Sequence, residues 1–396
     1  MVVMTTPTAT RTSAPRRKPT FKAAEFFSGI GLVRLALEAT GDWRVAFAND
    51  IDEAKARMYR TAWPRRDHLL VEDIHNLDAD LVPPCDLYTA SFPCNDLSVA
   101  GRQSGLSGRE SSAFWGLMRL IERAADRRPP LVLLENVYGF LTSHGGKDLE
   151  TAMLALNDRG YLVDAFVLNA VHWAPQSRVR LFVVAKLDDG RDRRPLAAPS
   201  SIRPTALHQF INSNPHIRWD IRELPEPRRS PKRLPDVLEN LPADDPHWWS
   251  EERTAYFMNQ LSPRHEAQAR RMIAGARYSY ATAFRRVRKG RSMAELRVDG
   301  IAGCLRTPRG GSGRQILFKA GRGRRWVRLL TARECARLQG VPDTYPIDVP
   351  LNQALFGFGD AVCVPAVRWI ARRYLTPEAE KLTKAPDLFS GARDVA

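Results

Sequence analysis

The sequence predicts an α/β fold: a doubly wound, mostly parallel sheet covered by helices on both faces, with a smaller, irregular domain inserted late in the chain. Three observations predict it. Short apolar runs alternate with amphipathic stretches from residue 21 to about 185, the pattern of successive βαβ units. From about 188 to 328 that alternation weakens and Pro, Arg and Trp become frequent. The positive charge falls within the same inserted stretch. Residues 191–330 hold 29 Lys and Arg against 13 Asp and Glu, while the whole chain carries +16, so the remainder is neutral. A basic module set into a neutral body is the footprint of a polyanion-contacting insert; a solvated basic surface gives the same count.

Taken in order, residues 1–20 are rich in Thr, Ser and Pro with Arg16-Arg17-Lys18 and no acidic residue. They lack the apolar core of a secretory signal and read as a disordered basic arm. The catalytic body is expected over 21–189. Its strand candidates are 22–27, 44–48, 86–90, 131–135, 162–168 and 180–185, with helical patterns at 31–40, 52–62, 113–125 and 148–158. The basic domain follows over 190–328, where Trp248-Trp249 reads as a packing pair rather than a base-stacking platform. Helical periodicity resumes at 331–339, and a last apolar helix over about 361–374 completes a return to the body over 329–376. The polar remainder, 377–396, reads as a flexible tail. No apolar run approaches the roughly 18 residues of a membrane span. Five cysteines without a CxxC pair argue against a disulfide framework and against a zinc site. A reducing cytoplasm fits them, and no metal is expected.

Ligands of doubly wound sheets bind beyond the carboxyl ends of the strands, and the chemically capable residues fall there. Phe27-Ser28-Gly29-Ile30-Gly31 joins the first strand to the first helix. Glycines at such a turn allow positive φ and close approach of a ligand to the backbone, although tight packing explains a lone G-x-G equally well. The second strand ends in Asp50-Ile51, a carboxylate placed for ribose hydroxyls, and Asp73-Ile74 follows the next strand. The full dinucleotide fingerprint is absent, so a nucleoside without a pyrophosphate, S-adenosylmethionine, is favoured over NAD.

Phe92-Pro93-Cys94 follows another strand. A thiol behind a proline-fixed turn reads as a presented nucleophile, against the alternative of a buried core cysteine. The polar, glycine-spaced run after it, which includes Arg102, reads as a loop able to close over a substrate. Glu135 ends an apolar strand, and buried acids are rare unless paired. Arg178 and Arg180, at i and i+2, share one face of the strand they lead into; an ion-paired edge is the other reading. Within the basic insert, Arg306, Arg309, Gly311, Ser312, Gly313 and Arg314 form a flexible loop of guanidinium groups suited to phosphate contact.

These elements, in this order, resemble the DNA (cytosine-5)-methyltransferase family over about 22–376. The resemblance rests on the turn at 27–32, Asp50, Asp73-Ile74, Phe92-Pro93-Cys94, Glu135-Asn136-Val137 and Gln176-x-Arg178-x-Arg180. It extends to Arg333-Glu334-Cys335-Ala336-Arg337-Leu338-Gln339-Gly340 and Gly359-Asp360-Ala361-Val362. It implies a Rossmann-like, S-adenosylmethionine-dependent methyltransferase sheet with a target-recognition domain at 190–328. It implies Cys94, Glu135, Arg178 and Arg180 as catalytic residues. Phe27, Ser28, Gly29, Ile30, Gly31, Asp50, Ile51, Asp73, Ile74, Pro93, Asp360 and Ala361 would hold the cofactor. Duplex DNA is the implied partner of a monomeric enzyme, with a cognate restriction endonuclease or other defence proteins alongside it in the bacterial cytoplasm. Transfer RNA as substrate, or a non-catalytic DNA-binding regulator that senses the cofactor, are the alternatives. Three positions depart from the family pattern: Leu32 stands for a second glycine, Asn95 for glutamine and Asp360 for asparagine.

Overall fold

The computed structural model describes residues 20–64, 68–93, 112–190, 198–288, 290–307 and 313–383. Cys94, Asn95, Arg102, Arg309, Gly311 and Ser312 lie outside the described residues.

The body is a seven-stranded sheet of β1 (Phe21–Phe26), β2 (Trp43–Asp50), β3 (Leu69–Val71), β4 (Leu87–Ala90), β5 (Leu131–Val137), β6 (Tyr161–Asn169) and β7 (Val179–Leu187). The strands lie in the order β3-β2-β1-β4-β5-β7-β6. All pairs are parallel except those of β7, which runs antiparallel to both β5 and β6. Strand order reverses between β1 and β4, which opens a crevice beyond their carboxyl ends. Side chains alternate between two cores in step with the pleat. Phe21 and Ala23 of β1 join one cluster with Phe182 and Val184 of β7, whereas Ala24 and Phe26 join the other with Leu181 and Val183. The first face is covered by α1 (Leu32–Glu38), α2 (Glu53–Ala62), α8 (Ala332–Leu338), α9 (Leu351–Asp360) and α10 (Val364–Ile370). The second is covered by α3 (Ala113–Arg123) and α4 (Lys147–Asp158). The last segment of the chain thus returns to pack beside the first helix.

The inserted segment is more regular than its sequence suggests. It contains a second sheet, antiparallel throughout, of order β11-β10-β8-β9. Its strands are β8 (Ser279–Arg288), β9 (Arg291–Arg297), β10 (Ile316–Gly321) and β11 (Arg324–Leu329). Phe257 of α6 (Glu251–Asn259) and Ala269 of α7 (Pro263–Ala274) pack against Ala281, Ala283, Phe318 and Val327 of that sheet. Trp249 belongs to the same cluster and meets Phe257 edge-on, while Trp248 packs against the first core. Both tryptophans are packing residues.

Two boundaries differ from the sequence expectation. Residues 198–224 do not join the second sheet. Ile202 and Leu224 enter one core of the body, and Leu207 of α5 (Thr205–Ser213) enters the other with Trp219. Arg203 there ion-pairs with the buried Asp164 of β6. At the other end, α11 (Thr376–Thr383) carries order past 377, because Glu378 pairs with Arg222 and Lys381 while Ala379 is buried. The helical stretch Leu351–Thr383 is long and apolar enough, by length and composition, to cross a membrane, but 67% of its most apolar window is buried inside the protein. It is a core element.

Candidate active site

The turn after β1 is built from left-handed backbone. Phe27, Gly29 and Gly31 have φ of 55°, 56° and 76°. Gly31 is also sterically fixed, since a Cβ there would lie 2.4 Å from the Trp63 ring. Leu32, where the family carries a second glycine, begins α1 and is buried in the core. Asp50, at the end of β2, ties the turn down: its Oδ2 accepts from the Gly29 N–H at 2.6 Å and its Oδ1 from the Asp52 N–H at 2.8 Å. Burial raises the Asp50 carboxyl above its usual range. Beside it Ile51 is 65% exposed, an apolar side chain left open at the strand ends, and the Ser28 hydroxyl is buried with no hydrogen-bond partner among the described residues. An exposed apolar flank, an orphaned hydroxyl and a pinned glycine turn fit a nucleoside cofactor such as S-adenosylmethionine. Asp73 accepts from the His75 N–H. The Ile74 side chain, by contrast, is turned into the core against Gly116, so any contact it makes with a cofactor runs through its backbone.

Glu135 and Arg180 meet because β7 is antiparallel. Its first residues therefore lie at the carboxyl ends of the parallel strands, where Val137 pairs with Arg180 and Glu135 with Phe182. Glu135 is buried, and its Oε1 lies 3.0 Å from Arg180 Nε. Asn136 next to it donates to the Phe92 carbonyl at 3.4 Å, linking the strand end to the turn at Phe92-Pro93. Arg178 has a different task. Its guanidinium is buried and donates to the carbonyls of Leu305, Gly359 and Ala361 at 2.9, 3.2 and 2.5 Å. Burial lowers its affinity for the proton, as does the like charge of Arg180. It binds three chain segments together rather than reaching into the crevice.

Two groups at this site, Cys304 and Lys55, were not singled out in the sequence, and the part played by Gln176 of the arginine motif was not visible there. Gln176, fully buried, accepts from the Leu305 N–H at 3.0 Å and donates to the Leu338 carbonyl at 2.9 Å. Cys304 is half-buried, 3.4 Å from Arg178 Nη1 and 3.9 Å from Arg180 Nη2. Lys55 forms a 2.7 Å ion pair with Asp360, which gives this departure from the family pattern a charged partner. The partners lie 126 and 305 residues apart in the chain, so no local spacing announces them. The motif at 333–340 is a brace. Glu334 completes a capping box with Thr331 and pairs with the buried Arg328, Arg333 donates to the Tyr345 carbonyl, and Gln339 donates to the Phe358 carbonyl. Of the expected DNA-contacting loop, Arg306 is exposed and Arg314 donates to Asn352 at 2.8 Å. Gly313 passes so close to Thr307 that a Cβ would sit 2.3 Å from its carbonyl oxygen.

The same architecture recurs in solved structures. The Dnmt2 methyltransferase of S. pombe superposes with a TM-score of 0.58 at 18% identity, covering 90% of this chain and 99% of that one. A putative DNA modification methyltransferase encoded within an E. coli prophage gives 0.52 at 20% identity, covering 92% and 99%. At that identity the likeness establishes the fold, a Rossmann-like methyltransferase sheet with a separate antiparallel sheet. The sequence goes further. Residues 21–376 match the family model described as C-5 cytosine-specific DNA methylase, and the chain belongs to that family, whose methyl donor is S-adenosylmethionine. Among its relatives are the Type II methyltransferase M.DsaV of Dactylococcopsis salina, 27% identical over 94% of this chain and 92% of the relative. M.NlaX of Neisseria lactamica is 28% identical over 89% and 96%, and M.HhaI of Haemophilus parahaemolyticus is 26% identical over 88% and 92%.

Proposed function

We propose that this protein methylates C5 of a cytosine flipped out of a specific duplex DNA site, through a covalent adduct between Cys94 and C6. The observation that carries the reading is the Glu135–Arg180 pair at 3.0 Å, set beyond the strand ends and tied through Asn136 to the turn that leads into Cys94. A carboxyl and a guanidinium held together can grip one edge of a pyrimidine, Glu135 at N3 and the 4-amino group, Arg180 at O2. Such groups, fixed in advance, stabilise the charge that builds on the ring as sulfur adds.

Addition of the Cys94 thiolate to C6 breaks the ring's aromaticity and loads electron density onto C5, dividing one hard step into two. Bound S-adenosylmethionine supplies the electrophilic methyl group. Loss of the C5 proton and expulsion of Cys94 restore the 5,6 double bond and leave 5-methylcytosine. Within the protein, Asp50 and the turn at Gly29 orient the cofactor, while Arg178 holds the crevice together from behind. C6 is inaccessible within a duplex, so the base is extruded at a cost of about a few kcal/mol. Contacts from the basic insert, with Arg306 close to Cys304, offset that cost. The Type II label of the relatives suggests the cellular setting, a monomeric enzyme acting on cytoplasmic DNA with a cognate restriction endonuclease or another defence protein as its counterpart.

The test is transfer of labelled methyl from S-adenosylmethionine to duplex DNA and, separately, to tRNA, by the wild type and by Cys94→Ser. Incorporation into duplex DNA as 5-methylcytosine, lost in Cys94→Ser, is the expected result. Labelling of tRNA alone would remove the DNA reading, and equal incorporation by both proteins would remove the nucleophile.

A further inference from the structure

We infer that Cys304 is a positioning residue of the cytosine pocket: its sulfur joins Arg180, the guanidinium that reaches Glu135, to Arg178, the guanidinium that the backbone holds. The inference rests on the functional reading above and adds to it the means by which the inserted domain sets the catalytic geometry.

Arg178, just before β7, and Arg180, within it, stand at i and i+2, two like charges close together. Arg178 is immobilised by three carbonyls from two other segments. Arg180 meets Glu135 at 3.0 Å and the carbonyl of its own neighbour Val179 at 2.9 Å. A further contact at 3.9 Å comes from Cys304, whose sulfur also accepts from Arg178 Nη1 at 3.4 Å. A large, polarisable acceptor between two guanidinium groups relieves their repulsion and restrains the rotamer of Arg180.

Cys304 is itself delivered with precision. Residue Ala302 bridges Gln176 in parallel register, with Ser177 N–H to Ala302 O at 2.9 Å and Ala302 N–H to Pro175 O at 2.7 Å. Gln176 then takes the Leu305 N–H. The strip 302–305 of the insert is therefore docked along the segment just before β7. When the insert is seated, the sulfur meets both arginines; when it is not, Arg180 loses that restraint.

Charge strengthens the link. The groups facing the sulfur are Arg178 just before β7, Arg180 of β7 and Arg306 from its own segment, while Glu135 of β5 faces the same arginines. Burial pushes the thiol up, but the three guanidinium groups outweigh it and hold Cys304 below the ordinary thiol range. As a thiolate it only accepts, gripping both arginines. As a thiol it can turn its proton to the Leu305 carbonyl 3.3 Å away, and its hold on Arg180 weakens. The folded value is depressed, so the grip is present at higher pH and is lost as pH falls through that value.

Two measurements test this on the full chain. In peptide-resolved alkylation by iodoacetamide, Cys304 should reach half its maximal rate at a pH below the roughly 8.5 of a free thiol. The midpoint should move upward in Arg180→Met. In single-turnover methyl transfer, Cys304→Ala should slow the reaction by about tenfold or more, the loss expected of one hydrogen bond to a charged group. Affinities for cofactor and DNA should stay within about twofold of wild type, the mark of an interaction that acts on the reacting complex rather than on ground-state binding. Cys304→Ser, a neutral acceptor, should recover part of the rate and lose the acid limb that the thiolate contributes. Transfer by Cys304→Ala at the wild-type rate would overturn the proposal. So would an alkylation profile of an ordinary thiol that Arg180→Met leaves unmoved. If Cys304→Ala does not fold, Cys304→Ser and the alkylation profile decide. A wild type that transfers no methyl group to DNA would sink the functional reading alone, since the alkylation profile still reports the coupling of sulfur to arginine.

Discussion

Gly359 shows how tightly single residues of this site are placed. It lies within α9 with no backbone requirement for glycine, yet a Cβ there would stand 2.6 Å from the Arg306 carbonyl carbon and 2.7 Å from the Thr307 nitrogen. Both are backbone atoms and cannot rotate aside. Replacing glycine by alanine within a helix gains about 1 kcal/mol, whereas overpacking of this kind costs about 1–3 kcal/mol, so the steric cost should win. Gly359→Ala is expected to lower the thermal midpoint and to slow single-turnover methyl transfer, because the displaced loop carries Cys304 and the Leu305 carbonyl that Arg178 holds. A stabilised Gly359→Ala with full activity would show that the loop position does not matter. Glu135 and Arg180 were readable in the sequence because each is a charged residue at the end of an apolar run. Cys304 was not, since nothing in Gly303-Cys304-Leu305 records that two arginines more than a hundred residues earlier will surround it.

Among the elements, the parallel strands and their covering helices were legible because their alternation is strong and local. Two features were not. The antiparallel direction of β7 is a matter of topology, although it is what carries Arg180 to the crevice. The second sheet hid because its inward positions are largely alanine, at 281, 283, 294 and 320, a residue depleted in strands. The pairing of β1 with α1 yields a pH prediction. Glu25 is buried with its Oε2 unpartnered, and burial pushes its carboxyl up to about 8 despite Arg34 beside it. Arg34, equally buried, donates to Glu38 and Tyr59 and lies 4.5 Å from the centre of the Trp63 ring that closes over Gly31. The folded protein keeps a proton on Glu25 that the unfolded chain releases near 4.5. Its contribution is therefore complete below that value and declines as pH rises towards about 8. The slope for one proton approaches about 1.4 kcal/mol per pH unit. Urea midpoints should fall between pH 5.5 and 7.5 in the wild type more than in Glu25→Gln; identical slopes would mean that Glu25 is ionised in the fold.

For the molecule as a whole, the count of 29 basic against 13 acidic residues over 191–330 singles out the insert, but a count cannot say which charges remain for DNA. Several of the basic residues are already engaged. Arg286 and Arg288 share Glu295 across the β8–β9 hairpin, Arg297 pairs with Asp299, Arg325 with Glu251 and Arg270 with Glu266. Lys319 sits among Trp248, Tyr278 and Trp326, with ring centres 5.4–5.8 Å away, an arrangement that binds the cation to its own domain. A charge already neutralised releases fewer counterions when it meets a phosphate, so its loss should change the salt dependence of binding less than the loss of a charge that faces the crevice. Each phosphate contact contributes about 0.9 to the slope of log affinity against log salt. Arg306→Gln, which removes an exposed guanidinium beside the candidate pocket, should reduce that slope by about one. Arg288→Gln, which frees Glu295 as it removes a cation, should change the slope by much less. Equilibrium titrations of fluorescent duplex from about 50 to 200 mM salt cover the range over which such slopes are measurable. Equal changes in the two variants would mean that the hairpin gives up its ion pairs to DNA, and would move the recognition surface from the loop at Arg306 to the tip of β8 and β9.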